Sequence, residues 1–505
     1  MINHLIYFNW QLRKPHFGLI MGHLDKLLED YNNSVTFLYC TGNLKPCYSN
    51  RLADANVCKL CKFNSNVAFS SYKERVNFVK IDDLLPQKKS FKFEYSSVEE
   101  LKEINYNNIN IGFPAFSSYV SFSLNLDPEI NEEFRNYMDT LLYNEVMLLE
   151  KISMYFDTNQ TDHLTIFNGR TADVRPIFES AIARKIPVTA LELIKETDTE
   201  FWKEEFHNAL PHDISFFHTR MVNLWNRKDI SQEIKIQEGE SFYKRRREGV
   251  LTRDVKVYTD GQKIGKLPKS WSNENKNIIV FLSSENEFAG IGDIWNKLSI
   301  FESQEKALHW IGKNYNEEKV KIYIRIHPNL EQVKYGYHLR LFDLPKFYPH
   351  FEVIPADSKV SSYTLIDNSE KVVAFGSSIG IEATYWKKPS IQLCGSLYYY
   401  LDATYKPKTK AEFLHLLGSK LEPLDSKEAI KYGFHLMSIK NYAVKCKYSP
   451  VPVTLLWVKF GLSMEYLKLL NSIFIFKLIE IILSKLYRDR SRYLRIPPIE
   501  ASKLS

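Results

Sequence analysis

Ile322-Tyr323-Ile324-Arg325-Ile326-His327-Pro328 reads as a strand that stops on a histidine and a proline. Phe375-Gly376-Ser377-Ser378-Ile379-Gly380-Ile381-Glu382-Ala383 reads as a second strand end turning into a helix through small hydroxyl residues. Alternation in the first stretch puts Arg325 and His327 on one face at the carboxyl end of the strand, where open α/β sheets bind ligands. Pro328 has no N–H and restricts the residue before it, which fixes where the strand ends and where the imidazole points. In the second stretch Ser377 and Ser378 would offer an anion two hydroxyls and the amides of a new helix. A solvated turn would explain His-Pro alone, and capping would explain one serine alone. Together, in one α/β series, they point to a nucleotide. Glu382, one helical turn further on, is either placed for ribose hydroxyls or an ordinary helix glutamate.

The same rhythm extends in both directions. Short apolar runs at 5–8, 35–40, 164–167 and 187–191 alternate with helical stretches at 18–31, 129–155 and 172–185. A second series places strands at 278–283, 320–326, 371–375 and 389–393 around helices at 304–314, 361–367 and 379–386. The intervening residues 229–277 are polar and charged, with Lys244-Arg245-Arg246-Arg247, Gly261 and Pro268, and read as an interdomain connection carrying one helix. The expected fold class is α/β, with two Rossmann-like doubly wound domains facing a cleft: an N-terminal acceptor domain at 1–228 and a C-terminal donor domain at 278–448. An apolar and basic helical tail follows at 449–505. Lys468, Lys477, Glu480 and Lys485 make it a poor spanning helix, so it either rests on the inner membrane face or packs back on the first domain.

Composition narrows the function classes. The 505 residues are 44% hydrophobic, enough for more than one core, and carry a net charge of +7. So mild an excess suits a phosphorylated small molecule or an anionic membrane, and no nucleic-acid partner is expected. The N-terminus lacks the pattern of a secretory signal, which gives a cytoplasmic expectation. Four of the six cysteines, Cys40, Cys47, Cys58 and Cys61, fall in one short segment. In a reducing compartment these are not disulfide partners, and the two-residue spacing of Cys58 and Cys61 suits tetrahedral zinc. Structural zinc, an iron–sulfur cluster and four unligated thiols all stay open.

Further polar groups end other strands. In Ser283-Ser284-Glu285-Asn286-Glu287, the paired carboxylates of Glu285 and Glu287 would raise one pKa toward general-base use, against the reading of a solvated loop. Asn168-Gly169-Arg170 joins a glycine turn to a guanidinium that would hold an acceptor. His23, on the helix after the first strand, either faces the cleft or is structural.

Arg325-Ile326-His327-Pro328, the serine stretch through Ala383 and Lys388-Pro389-Ser390 resemble the donor half of bacterial capsule polysaccharide biosynthesis glycosyltransferases of the GT-B fold. They are similar to the Kdo-transferring and sialyltransferase-like enzymes, and more distantly to polymerases that use CDP-glycerol. The resemblance spans about 278–393, is weaker over the N-terminal half and is absent from the tail. It implies that His327, Ser377 and Ser378 bind the phosphate or nucleotide of a CMP-linked sugar, and the residue reading adds Arg325 and Glu382 as donor-binding residues. It also implies inverting transfer to a glycan or lipid-linked acceptor without a catalytic metal, and the mild basic excess and apolar tail would bring that chemistry to the inner membrane face. The family's acidic-pair-glycine base motif has no copy here: Asp82-Asp83 lacks the glycine and Glu285-Asn286-Glu287 is split, so the base stays open. Three rival classes share parts of this pattern. They are a nucleotide-sugar epimerase or hydrolase of the same fold, a CDP-glycerol-type phosphotransferase and a noncatalytic membrane-associated assembly factor.

Overall fold

The structure is a computed structural model that describes residues 1–12, 14–84, 91–196, 200–252, 258–285, 297–331, 333–438 and 444–447. Glu287 and the tail at 449–505 lie outside the described residues.

The first of two compact units gathers 1–122, 129–211 and, among the described residues after these, 444–447. Its strands are β1 (Ile2–Tyr7), β2 (Asn33–Tyr39), β3 (Val76–Lys80), a small hairpin of β4 (Asn105–Tyr106) and β5 (Ile109–Asn110), then β6 (His163–Phe167), β7 (Val188–Glu196), β8 (Glu200–His207) and the last strand, β14 (Val444–Lys447). They form a seven-stranded sheet in the order β14-β8-β7-β6-β1-β2-β3, with the hairpin apart. The run from β3 to β7 is parallel, whereas β8 and β14 join antiparallel. Continuous burial at Leu5, Ile6 and Tyr7, and at Leu164, Thr165, Ile166 and Phe167, is what a parallel strand covered on both faces requires. The helices Ala55–Phe69 and Glu132–Thr158 begin where Asp54 and Asn131 accept from the backbone N–H of Asn56 and Phe134. Strand order reverses between β1 and β6.

The second unit comprises 123–128 and 212–442. Its strands are β9 (Lys276–Phe281), β10 (Val320–Arg325), β11 (Phe351–Ile354), β12 (Lys371–Ala374) and β13 (Ser390–Gln392), all parallel in the order β11-β10-β9-β12-β13. Period two sorts their side chains into two cores. Ile278, Val280, Ile322, Ile324 and Val373 pack on one face, and Ile279, Phe281, Tyr323 and Val372 on the other. The order reverses between β9 and β12, the arrangement of a doubly wound fold.

Residues 229–277 are not a free connection, because they belong to this second unit. The helix Gln232–Arg247 buries Phe242 and Tyr243, and the Tyr243 hydroxyl donates to the Ala429 carbonyl at 2.5 Å on the helix Ser426–Met437. Glycines let these two helices approach closely. A Cβ on Gly239 would stand 2.3 Å from the Ile430 carbonyl, and one on Gly433 would stand 2.3 Å from the Gly239 carbonyl. The second unit therefore takes up the chain at 212 rather than 278. Among the described residues, no helix is long and apolar enough to cross a membrane.

Candidate functional site

The carboxyl ends of β9, β10 and β12 lie side by side around the reversal of the second sheet. β9 runs into Ser283 and Ser284, both buried. Gln304 fixes this turn, since the Ser283 N–H donates to its Oε1 at 3.0 Å and its Nε2 donates to the Ser283 hydroxyl at 3.2 Å. Glu285 accepts from the Gln304 N–H at 3.1 Å, at the start of the helix Gln304–Asn314, where an acid suits the positive helix end. Glu285, expected as a base, is thus engaged in capping.

β10 ends at Arg325, and His327 follows in extended backbone. Its Nδ1 lies 2.9 Å from the Ser284 hydroxyl and accepts the Asn329 N–H at 3.2 Å. An amide N–H can only donate, so Nδ1 is the acceptor, the Ser284 hydroxyl donates to it and the ring proton sits on Nε2. The Tyr258 ring centroid lies 5.3 Å from that of the imidazole. His327 is therefore oriented through Nδ1 at the carboxyl end of β10.

Arg325 is placed otherwise than alternation suggests. It is 3% exposed, and its guanidinium donates to the carbonyls of Pro355 at 2.7 Å and Ser358 at 3.1 Å. Burial pushes its pKa down to about 10. Its hydrogen bonds hold the loop after β11, not an open edge.

β12 ends at Ala374, and the chain turns at Gly376, whose φ of +71° suits glycine, into Ser377 and Ser378, both partly buried. The Tyr398 hydroxyl donates to the Ser377 carbonyl at 2.6 Å, and Gly380 leaves room for it: a Cβ there would meet the hydroxyl at 2.6 Å. Ser378 donates to Glu382 at 2.9 Å. Glu382 is fully buried and also takes the Arg246 Nε at 3.1 Å and the Tyr363 hydroxyl at 2.5 Å. Burial and the Glu382 charge both push the Tyr363 phenol up. Glu382 is thus the centre of a buried polar cluster and not a ribose contact. The helix it stands on, Ile379–Tyr385, is two turns long. Of the expected donor residues, His327 and Ser377 keep an edge position, Ser378 is shared with Glu382, and Arg325 and Glu382 are internal. Sequence reading missed Gln304, Arg246 and Tyr363; only the basic run at 244–247 signalled one of them.

In the first unit, Asn168 (φ +59°) donates to Glu192 at 2.6 Å and accepts the Arg170 N–H at 3.1 Å, while the Arg170 guanidinium donates to Ser121 at 3.0 Å. Burial pushes Glu192 up to about 6. His23 is 8% exposed between Thr165, at 3.3 Å, and the buried Lys203. Burial, with Lys203 beside it, holds the imidazole well below its ordinary pKa. This is the structural alternative for His23, because its partners lie inside the sheet face rather than at its edge.

Cys40, Cys47, Cys58 and Cys61 all line one small cavity, together with Asn9, Gly42 and Asn50. Burial pushes the Cys40 thiol up to about 12 and the Cys47 and Cys61 thiols up as well. Among the described residues, no group of three or more His, Cys, Asp or Glu side chains is arranged, as it stands, to hold a metal ion.

No family model matches the chain, and no curated protein matches it. Among solved structures it is similar to the KpsC beta Kdo 2,4 transferase of Thermosulfurimonas dismutans, at 14% identity over 54% of this chain and 79% of that one, with a TM-score of 0.34. The beta Kdo 2,7 transferase of the same protein gives 13% identity over 56% and 79%, with a TM-score of 0.32. The UDP-GlcNAc 2-epimerase of Methanocaldococcus jannaschii gives 13% identity over 88% and 100%, with a TM-score of 0.25. Overlap this loose decides no activity.

Proposed function

We propose that the second unit binds the nucleotide of a nucleotide-sugar, a CMP-linked one, and that the chain transfers the sugar to a hydroxyl of a glycan or lipid-linked acceptor. One observation carries the reading: the point where strand order reverses is lined by hydroxyls from β9 and β12 and by an imidazole from β10 whose donor atom is fixed. Doubly wound sheets take their ligands outside the carboxyl ends of the strands at such a point. Oxygen and nitrogen donors there suit the charge of a phosphate. His327, with its proton on Nε2, would donate to the phosphate as the glycosidic bond breaks, stabilising the charge that develops on the leaving group.

The test is a melting series of the full chain with CMP, CDP, UDP and GDP. CMP is expected to raise the melting temperature most, since a ligand at 100 times its Kd adds about 2.7 kcal/mol. His327→Ala should remove that shift and lower transfer about 100-fold, while the melting temperature without nucleotide stays near wild type. A chain that none of the four nucleotides stabilises would overturn the proposal.

A further inference from the structure

Histidines gather on one face of the first sheet, beneath the helix Lys14–Leu27, whose Leu19, Ile20 and Leu24 are fully buried. His4 on β1 and His163 on β6 are partners in register, with ring centroids 5.5 Å apart. The Thr189 hydroxyl on β7 lies 3.0 Å from His163 Nε2 and 3.1 Å from His207 Nδ1 on β8. Period two puts Lys203, Glu205 and His207 on one face of β8. His23 descends from the helix between Lys203 and Thr165 of β6.

Partners decide where the ring protons sit. The Lys203 ammonium, held by Glu205 at 2.8 Å, can only donate, so His23 Nδ1 accepts and the single ring proton on Nε2 points to Thr165 at 3.3 Å. His4 donates from Nε2 to the Asn33 side-chain oxygen at 3.2 Å. A second proton on His23 would meet the Lys203 ammonium. In doubly protonated His4 and His163 an N–H would occupy Nδ1, and both of these atoms are buried without a hydrogen-bond partner among the described residues. Burial holds His23 well below its ordinary pKa, with Lys203, His163, His4 and Lys26 adding to the shift. Burial likewise pushes His163 down to about 4, with His4 and His207 adding and Glu205 opposing. It lowers His4 too, against the pull of Asn33, Asp162 and Asp30.

We propose that this cluster is an acid latch: neutral rings hold the helix Lys14–Leu27 on the sheet, and proton uptake by His4, His23 and His163 together releases it. Release separates His23 from the Lys203 ammonium and lets each ring take its proton from water. A histidine whose pKa falls on folding contributes stability that is complete above its unfolded value of 6.5 and is lost as pH drops below it. Each ring multiplies the opening constant by about 10 per pH unit in that window, so three rings charging together approach about 1,000-fold per unit. The response is therefore steep, although no single ring titrates sharply.

The experiment is hydrogen exchange of the full chain at pH 7.5, 6 and 5, read by mass spectrometry and corrected for the intrinsic pH dependence of amide exchange. Protection at 14–27 is expected to fall at least about 100-fold between pH 7.5 and 5, while the helix Gln304–Asn314 of the second unit keeps its protection. Glutamine at position 23 still accepts from Lys203 and donates to Thr165 but takes up no proton, so His23→Gln should shrink that fall by about 30-fold. The wild-type measurement decides the matter even where His23→Gln does not fold. Equal protection of 14–27 at pH 7.5 and 5, an equal loss in both helices, or a fall that His23→Gln leaves unchanged would overturn the proposal.

Discussion

Glu382 can serve either a ligand or the fold, and its partners decide between them. With Arg246, Tyr363 and Ser378 all bound to it and no exposure, the carboxylate is satisfied from within. Removing one partner of a buried ion pair costs about 3–5 kcal/mol, because the other charge is left without compensation. Arg246→Met should therefore lower the urea stability of the second unit by about that amount. Wild-type stability combined with loss of nucleotide binding would instead return Glu382 to a ligand role. Arg246 was illegible in the sequence for a plain reason. Lys244-Arg245-Arg246-Arg247 looks like a solvated run, and the carboxylate that singles out one of its members stands 136 positions away. His327 was legible because Pro328 marks a strand end by local chemistry alone. Arg325 was half legible: alternation gave its position on the strand, but nothing local revealed that two carbonyls after β11 would claim its guanidinium.

Among the elements, strands were easier to read than helices. β9, β10 and β12 are apolar runs bounded by polar residues, because both faces of a parallel sheet are covered, and such runs stand out. The helix Gln232–Arg247 left no comparable trace. Its buried residues are Lys235, Gly239, Phe242 and Tyr243, so only two aromatic side chains mark its inner face, and beside them it packs by backbone approach at glycine and by polar contacts such as those of Lys235 with the Trp225 and Arg227 carbonyls. That contact sets up two opposing effects. Gly433→Ala gains about 1 kcal/mol of helix propensity, yet its methyl would meet the Gly239 carbonyl at 2.3 Å. Overpacking against backbone costs about 1–3 kcal/mol and has no flexible side chain to yield, so it wins. A net loss of about 1 kcal/mol is expected in urea denaturation, and a more stable variant would show that the two helices can part without cost.

For the chain as a whole, the partition was the least legible feature, because it rests on pairings far apart in sequence. β14 lies more than two hundred positions beyond β8, yet pairs with it and returns the chain to the first unit. No local periodicity announces that. Charge placement across the whole chain is likewise invisible in a net value of +7, and buried groups decide how stability follows pH. Glu145, on the helix Glu132–Thr158, has no exposure, and neither carboxyl oxygen has a hydrogen-bond partner among the described residues. Burial pushes its pKa well above 4.5, against the pull of Arg175 and with Asp173 adding to the rise. A carboxyl raised on folding contributes stability that is complete below its unfolded pKa and is lost as pH climbs toward the folded value. Above pH 4.5 the unfolded chain releases this proton while the folded chain keeps it, so each further pH unit in that window costs about 1.4 kcal/mol. Glutamine has the same shape and no proton to lose. Glu145→Gln should therefore match wild type near pH 4 and melt progressively higher than wild type as pH rises to 8, when both are followed by scanning calorimetry. A difference that stayed constant across that range would mean that Glu145 is ionised in the fold, with Arg175 outweighing its burial.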